Sequence, residues 1–137
     1  MLEKEVIQIT GFKNVKDGGK VIGFNVPIKL TWYRGAWLSL LRPATVIVDG
    51  EKFEGDKITW TISGKTYKQT ELENFPDTQW PRTEAAILTI KKPGGLKLGI
   101  HEVQVAYSYI GSYYGAPRPD EDQPSTNFEK RTMVLAG

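Results

Sequence analysis

Apolar residues occupy every second position from residue 22 to residue 32, and this period of two restricts the fold more than any other feature of the sequence. Successive side chains of a β-strand point to opposite faces of the sheet, so the pattern predicts a strand with one buried face. The six apolar residues are Ile22, Phe24, Val26, Ile28, Leu30 and Trp32. Pro27 has no N–H donor, which predicts that this strand lies at a sheet edge or bulges at the proline.

The same alternation recurs in shorter stretches along the chain. It covers residues 58–62 and 103–109, and apolar runs occur at residues 6–9, 46–48, 85–90 and 132–135. Turn residues separate these stretches: Asp49 with Gly50, Ser63 with Gly64, Gly18 with Gly19, and Pro93 with Gly94 and Gly95. Short strands joined by tight turns predict an all-β fold, and we expect one antiparallel β-sandwich domain over residues 1–137, immunoglobulin-like in size.

Three segments interrupt the strand pattern. Residues 70–75 predict a single helical turn, capped by Thr70 and closed by Pro76. Residues 75–82 are irregular and contain Trp80 between two prolines. Residues 111–127 predict one long irregular loop near the C-terminus, and loops of that length within a compact domain are usually functional or disordered.

The composition excludes several classes of protein. Cysteine is absent, so disulfides, thiolate zinc sites and cysteine nucleophiles are excluded. The net charge is +2, and the 18 basic and 16 acidic residues are spread along the chain without a basic face for nucleic acid. No segment has the pattern of a signal peptide or the length of a membrane span. We therefore expect a cytoplasmic protein that binds neither nucleic acid nor a membrane.

Residue types that could support catalysis are few. His101 is the single histidine, and Glu102 beside it points to the opposite face of a strand, so we interpret His101 as a turn residue that bonds a backbone carbonyl. The consecutive acids at residues 120–122 lie in the predicted loop, where solvent keeps the pKa of a carboxyl too low for a general acid. We therefore predict no catalytic residue and no metal site in this chain.

Aromatic and arginine residues are concentrated in the segments predicted to be irregular. Trp32 is in register with the buried face of its strand, and we interpret it as a core residue. The others include Trp37, Trp80, Arg82, Tyr113, Tyr114 and Arg118. Tryptophan, tyrosine and arginine are the residue types that anchor protein interfaces, which favours a surface or interface role for Trp80, Tyr113 and Tyr114.

Several motifs, in order and spacing, resemble the small (beta) subunit of bacterial C-glycoside deglycosidases. They are Gly23-Phe24-Asn25, Tyr33-Arg34-Gly35, Leu38-Ser39, VIVDGE at residues 46–51, Trp80, Lys92-Pro93-Gly94-Gly95-Leu96, Gly99-Ile100-His101-Glu102-Val103 and Ser112-Tyr113. The resemblance covers most of the chain, from about Phe12 to the last predicted strand.

The resemblance implies a β-sandwich that binds a larger catalytic (alpha) subunit, a TIM barrel similar to sugar-phosphate isomerases. That subunit is expected to hold a divalent metal, typically manganese, and the catalytic base. The complex would act as a lyase on a C-glycoside already oxidised at C3, with the metal polarising the ketone. The chain itself would be a non-catalytic member of a hetero-oligomer, without a cofactor or autonomous activity.

The resemblance also suggests which residues meet the partner. The candidates for the subunit interface are Tyr33, Arg34, Gly35, Trp37, Trp80 and Arg82. The candidates for a loop near the substrate are Tyr113, Tyr114 and Arg118. Two alternatives remain open: a stand-alone carbohydrate-binding or immunoglobulin-like interaction module, and, with less support, a glycosidase that uses the acids at residues 120–122.

Overall fold

The computed structural model describes residue 7 and residues 11–29, 36–75, 77–81, 84–110 and 124–135. Eleven strands and three 3-10 helices lie within these ranges. The strands are β1 (Lys13–Asp17), β2 (Lys20–Ile28), β3 (Ala36–Trp37), β4 (Thr45–Val48), β5 (Glu51–Phe53), β6 (Ile58–Ile62), β7 (Lys65–Lys68), β8 (Gln79–Trp80), β9 (Ala86–Lys91), β10 (Gly99–Ile110) and β11 (Pro124–Leu135). The 3-10 helices are Leu38–Leu40, Gly55–Lys57 and Gln69–Asn74.

The strands form two main antiparallel sheets, which confirms the all-β sandwich. Sheet 1 has the order β1-β2-β9-β6-β7, and sheet 2 has the order β11-β10-β4-β5. The short strands β3 and β8 pair with each other. Every second residue of the long strands points into one core between the sheets, as the alternation predicted for β6 and β10.

Two predicted hairpins have the expected turn chemistry. Asp49 and Gly50 join β4 to β5 with φ angles of +49° and +88°, and Ser63 and Gly64 join β6 to β7 with +53° and +80°. Two consecutive residues at positive φ define the turn type whose twist suits an antiparallel hairpin, and glycine adopts this conformation without steric cost.

Strand β2 departs from its prediction in two ways. Ile22 is 42% exposed rather than buried, because a β-bulge interrupts the pairing of β1 and β2 and leaves Ile22 without an opposite residue. The strand lies inside sheet 1 rather than at an edge. Pro27 is tolerated there because the ladder with β1 ends at the pair Lys13–Asn25. Leu30 and Trp32 lie outside the described residues.

Two other boundaries also differ. The predicted helical turn is a 3-10 helix that begins at Gln69, and the Glu71 carboxylate accepts the Lys68 N–H at 2.8 Å, so Thr70 is not its cap. The predicted loop over residues 111–127 is wrong for its last four residues. They belong to β11, which pairs with β10 along its whole length, whereas residues 111–123 lie outside the described part. Within the described ranges, no helix is long and apolar enough to cross a bilayer.

Three aromatic rings join the two sheets. Trp60 of β6, Trp80 of β8 and Tyr107 of β10 are almost completely buried, with ring centroids 5.7–6.4 Å apart. The Trp60 and Trp80 rings meet edge to face at 76°, the geometry favoured by aromatic quadrupoles. Ile7 also connects the sheets: it bridges Ile28 of sheet 1, and its carbonyl accepts a hydrogen bond from Arg131 of β11 at 2.8 Å.

A buried glutamine organises one end of the core. Gln69 is 6% exposed, and its Oε1 accepts hydrogen bonds from the Ala44 N–H at 2.6 Å and from Trp60 Nε1 at 2.9 Å. Its Nε2 donates to the carbonyls of Ala44 and Gly55 at 3.3 Å and 3.0 Å. The Gln69 side chain thus links the 3-10 helix Gln69–Asn74 to Ala44 before β4, to Gly55 and to the indole of Trp60.

Candidate functional site

His101 connects three segments of the chain through its hydrogen bonds. Its Nδ1 lies 2.6 Å from the Asp49 carboxylate in the β4–β5 turn, and its Nε2 lies 2.5 Å from the Lys97 carbonyl. The second Asp49 oxygen accepts the Glu102 N–H at 2.9 Å. The imidazole is 8% exposed and meets the Phe12 ring edge to face at 6.4 Å.

These contacts shift the acid–base equilibria of both partners. Burial alone would lower the pKa of His101, but the bonds to the Lys97 carbonyl and the Asp49 carboxylate outweigh it, so the pKa is raised above its ordinary 6.5. The hydrogen bond from His101, followed by that from the Glu102 N–H, holds the pKa of the Asp49 carboxyl below its ordinary 3.8. An imidazolium, with two N–H donors, satisfies both acceptors at once.

These contacts indicate that His101 stabilises the fold and does not exchange protons with a substrate. Both ring nitrogens of His101 face acceptors of the chain itself, so neither is directed at a substrate. The expected bond to a backbone carbonyl is confirmed. The partner Asp49 was missed, because it is 52 residues away in sequence and only the pairing of β4 with β10 brings the two together.

Replacing Asp49 with asparagine is expected to lower the pKa of His101. The change removes the negative charge that favours the imidazolium, whereas asparagine before Gly50 still suits the turn. Because the chain has a single histidine, its ring protons report the titration directly by NMR. The midpoint should lie above 6.5 in the unchanged protein and should fall in Asp49→Asn; equal midpoints would contradict the pairing.

The raised pKa has a consequence for stability that the same samples test. Protonated His101 stabilises the folded state. This stabilisation is complete below pH 6.5 and is lost as the pH rises through the folded-state pKa of His101. The Asp49 side chain is 51% exposed, so solvent screens the pair and we expect a loss below about 1 kcal/mol. The melting temperature should therefore fall slightly more between pH 6 and pH 9 in the unchanged protein than in Asp49→Asn.

Metal-ligating residues are not clustered in the described ranges. No group of three or more histidine, aspartate or glutamate side chains there is placed to hold a metal ion. The acids at residues 120–122 lie outside the described residues, so the structure does not test the glycosidase alternative.

The structure corrects the surface placement of Trp80. Its side chain is completely buried against Trp60 and Tyr107, and its Nε1 donates to the Glu84 carbonyl at 2.9 Å. The flanking prolines suggested an exposed loop, but β8 pairs with β3 and turns this indole into the core. Trp80 is therefore a core residue, as sequence reasoning had proposed only for Trp32.

Of the other candidate residues, the structure describes Trp37. Trp37 is half-buried, and its Nε1 is buried without a hydrogen-bond partner in the described part of the chain. Leaving such a donor unpaired costs about 1–3 kcal/mol. The remaining candidates lie outside the described residues: Tyr33, Arg34, Gly35, Arg82, Tyr113, Tyr114 and Arg118. For them, and for Trp37, an interface or substrate role stays a prediction.

An exposed apolar patch lies on sheet 2, where sequence reasoning named no site. Ile100 and Val134 are directly opposite each other on β10 and β11 and are 73% and 61% exposed. Leu98, which precedes β10, is 67% exposed. Exposed apolar groups at this density mark surfaces that bind other proteins. We call Leu98, Ile100 and Val134 the sheet-2 patch; the alternation that exposes Ile100 was visible in the sequence, but its pairing with Val134 was not.

Comparisons with known proteins agree with one another. Residues 2–113 match the family model described as C-glycoside deglycosidase beta subunit. A protein of that name from Eubacterium cellulosolvens is 42% identical over 97% of this chain and 88% of its own length. Another of that name, from Arthrobacter globiformis, is 29% identical over 74% of this chain and 80% of its own length. The 3'-dehydrocarminate deglycosidase beta subunit of a Microbacterium species is 32% identical over 59% of this chain and 61% of its own length.

Proposed function

Because this chain belongs to the C-glycoside deglycosidase beta subunit family, we propose that it is the non-catalytic small subunit of a heteromeric, metal-dependent lyase. The relatives are named as beta subunits of deglycosidases, so a second kind of subunit is implied. In our proposal that partner is a TIM barrel similar to sugar-phosphate isomerases, and it carries the catalytic base and a divalent metal, manganese by preference.

The proposed reaction is a β-elimination from a 3-keto-C-glycoside. The ketone at C3 acidifies the proton on C2, and a base of the partner removes it. The C1–carbon bond to the aglycone then breaks, its electron pair leaves with the aglycone carbon, which takes up a proton from the protonated base or from water, and a C1=C2 double bond forms in the sugar. The metal would polarise the ketone as a Lewis acid. The role proposed for this chain is to support the partner that performs these steps.

The observation that carries the proposal is the sheet-2 patch. Ile100 and Val134 lie opposite each other and are 73% and 61% exposed, and Leu98 close by in sequence is 67% exposed, so covering these side chains with another protein would bury apolar area and stabilise the contact. The ion pair of Lys130 with Glu102, at 3.4 Å, lies beside the patch on the same two strands. An apolar centre beside charged groups is the usual anatomy of a subunit interface. We propose that the partner subunit covers this patch.

The alternative binding module has less support in the described chain. It would bind a glycan through exposed aromatic rings such as those of Trp80 and Tyr113. The Trp80 ring is completely buried and cannot stack on a sugar, and Tyr113 lies outside the described residues.

Charging the sheet-2 patch is expected to separate the subunits. Ile100→Lys with Val134→Lys would place two ammonium groups in a desolvated contact, which costs several kcal/mol unless they are paired. The tagged chain would be co-expressed with the barrel protein from its neighbouring genes and the masses and metal content of the purified complex measured. We expect a stoichiometric, manganese-containing complex with the unchanged chain and at least a tenfold loss of partner with the double variant.

A matched control makes this result specific. Ile22→Lys introduces one such lysine at an exposed isoleucine on the opposite sheet and should leave the yield of complex unchanged. A double variant that is folded, by its melting curve, and still retains the partner would contradict the docking surface. A monomeric unchanged chain without any barrel partner would contradict the proposed function itself.

A further inference from the structure

The outer face of sheet 1 contains a groove of about 430 Å³. This volume is within the range of small-molecule sites, which is about 300–1,000 Å³. Its lining includes Gly23 and the small side chains of Thr59 and Thr89, together with the apolar residues Ile22 and Pro93. The groove lies on the other sheet from the sheet-2 patch, so it is a separate surface of the molecule.

The β-bulge presents Ile22 to this groove. The register changes between the pairs Val15–Gly23 and Lys16–Val21, and Ile22 is the extra residue. The turn after β9 holds the bulge from the side of β2 that faces β9. The Lys92 N–H donates to the Ile22 carbonyl at 3.0 Å, and the Gly94 N–H donates to the Val21 carbonyl at 2.9 Å. Bulges commonly redirect a side chain towards a functional surface. Here the redirected side chain, 42% exposed, supplies an apolar group to the groove lining.

The lining of the groove is positively charged. Lys20, Lys57 and Lys91 belong to it, and none of them forms an ion pair with a carboxylate in the described ranges. One acid, Asp56, belongs to the same lining. Other lysines of this chain are paired; Lys92, for example, lies 2.8 Å from Glu51. The groove therefore combines apolar lining residues with three lysines that have no ion pair in the described part of the chain, against one acid.

We propose that this groove binds a small planar aromatic anion, such as an aromatic carboxylate or phenolate. The groove has room for a ring because Gly23, Thr59 and Thr89 in its lining carry no bulky group. Ile22 and Pro93 contact the faces and edges of such a ring, and the lysines attract the anionic group at the rim. The three lysines favour an anion over a neutral ligand of the same shape. This inference goes beyond the proposed function and does not depend on it.

The test uses two probes of equal shape, 2-naphthoate and its neutral analogue 2-naphthamide, with the full-length chain labelled with ¹⁵N. We expect saturable shifts of the amide signals of Gly23, Thr59 and Thr89 with naphthoate. The amide should bind about fivefold more weakly or worse, because it lacks the charge that the lysines attract. Raising the salt concentration from 0.05 to 0.5 M should weaken binding of naphthoate alone, given the shorter Debye length.

Two variants separate the charge from the apolar lining. Lys57→Glu with Lys91→Glu should weaken naphthoate binding about tenfold and leave naphthamide binding unchanged. Ile22→Ala should weaken both probes by a similar factor, because it removes apolar contact from either ring. Lys68→Glu is the matched control: Lys68 is exposed on the far strand of the same sheet, outside the groove, and its change should alter neither affinity by more than twofold.

Three results would overturn the inference. The first is equal binding of both probes by the unchanged chain. The second is naphthoate binding that the double lysine variant does not reduce. The third is loss of naphthoate binding when the partner subunit is added, which would assign the groove to a protein interface instead.

Discussion

Replacing Gly23 with alanine is expected to lower the free energy of unfolding by about 3 kcal/mol or more, one of the two largest single-residue effects that we anticipate. A Cβ atom at this position would lie 2.0 Å from the Ile90 carbonyl oxygen and 3.0 Å from its carbon. Both atoms are backbone of the neighbouring strand β9, so no side chain can rotate away. Strands β2 and β9 must separate, and thermal unfolding should occur roughly 10 °C lower.

A second glycine provides the control for this prediction. Gly18 lies in the β1–β2 turn at a φ of +59°, and a Cβ there would meet no atom within 4 Å. Gly18→Ala should therefore cost only the conformational penalty, about 1 kcal/mol. If both variants melted at the same temperature, close backbone approach at Gly23 would not be the reason for its glycine.

Replacing Gln69 with alanine is expected to destabilise the fold by about 3–4 kcal/mol. The change removes four hydrogen bonds and leaves the Ala44 N–H and Trp60 Nε1 without their acceptor in the interior. It also removes the donor to the carbonyls of Ala44 and Gly55. Denaturant unfolding followed by tryptophan fluorescence measures the effect, and the emission of Trp60 should respond to the loss of its partner.

Two further variants show whether the bonds or the side-chain volume matter. Gln69→Glu keeps the size but has no donor when ionised, and burial raises the pKa of such a carboxyl. Its instability should be large at pH 8 and partly relieved at pH 5, where protonation restores one donor. Gln79→Ala removes an exposed glutamine and should change stability by less than about 0.5 kcal/mol. An alanine variant as stable as Gln79→Ala would contradict the role of Gln69.

Part of the candidate surface could be predicted from the sequence. The alternation in β10 placed His101 and Val103 on one face and Glu102 on the other, and the structure confirms this. The sequence motifs resembled those of C-glycoside deglycosidase beta subunits, and the comparisons show that the chain belongs to that family. The sheet-2 patch was missed because alternation assigns residues to faces but not strands to neighbours, so nothing in the sequence placed Val134 opposite Ile100.

Local chemistry determined the strands with clear alternation and the turns between them. The period of two follows from the geometry of one strand, and the turns at Asp49–Gly50 and Ser63–Gly64 follow from residues that tolerate positive φ. Both depend on residues adjacent in sequence, so the sequence by itself was sufficient to predict them.

Only the tertiary structure decided the contacts between distant segments. The pairing of His101 with Asp49, the bonds of Gln69 to Ala44, and the burial of Trp80 each require two strands or turns to meet. The exposure of Ile22 depends on a bulge, which is a property of the ladder between β1 and β2 rather than of either strand alone. Alternation assigns residues to faces, but which faces and edges come together depends on the packing of the whole chain.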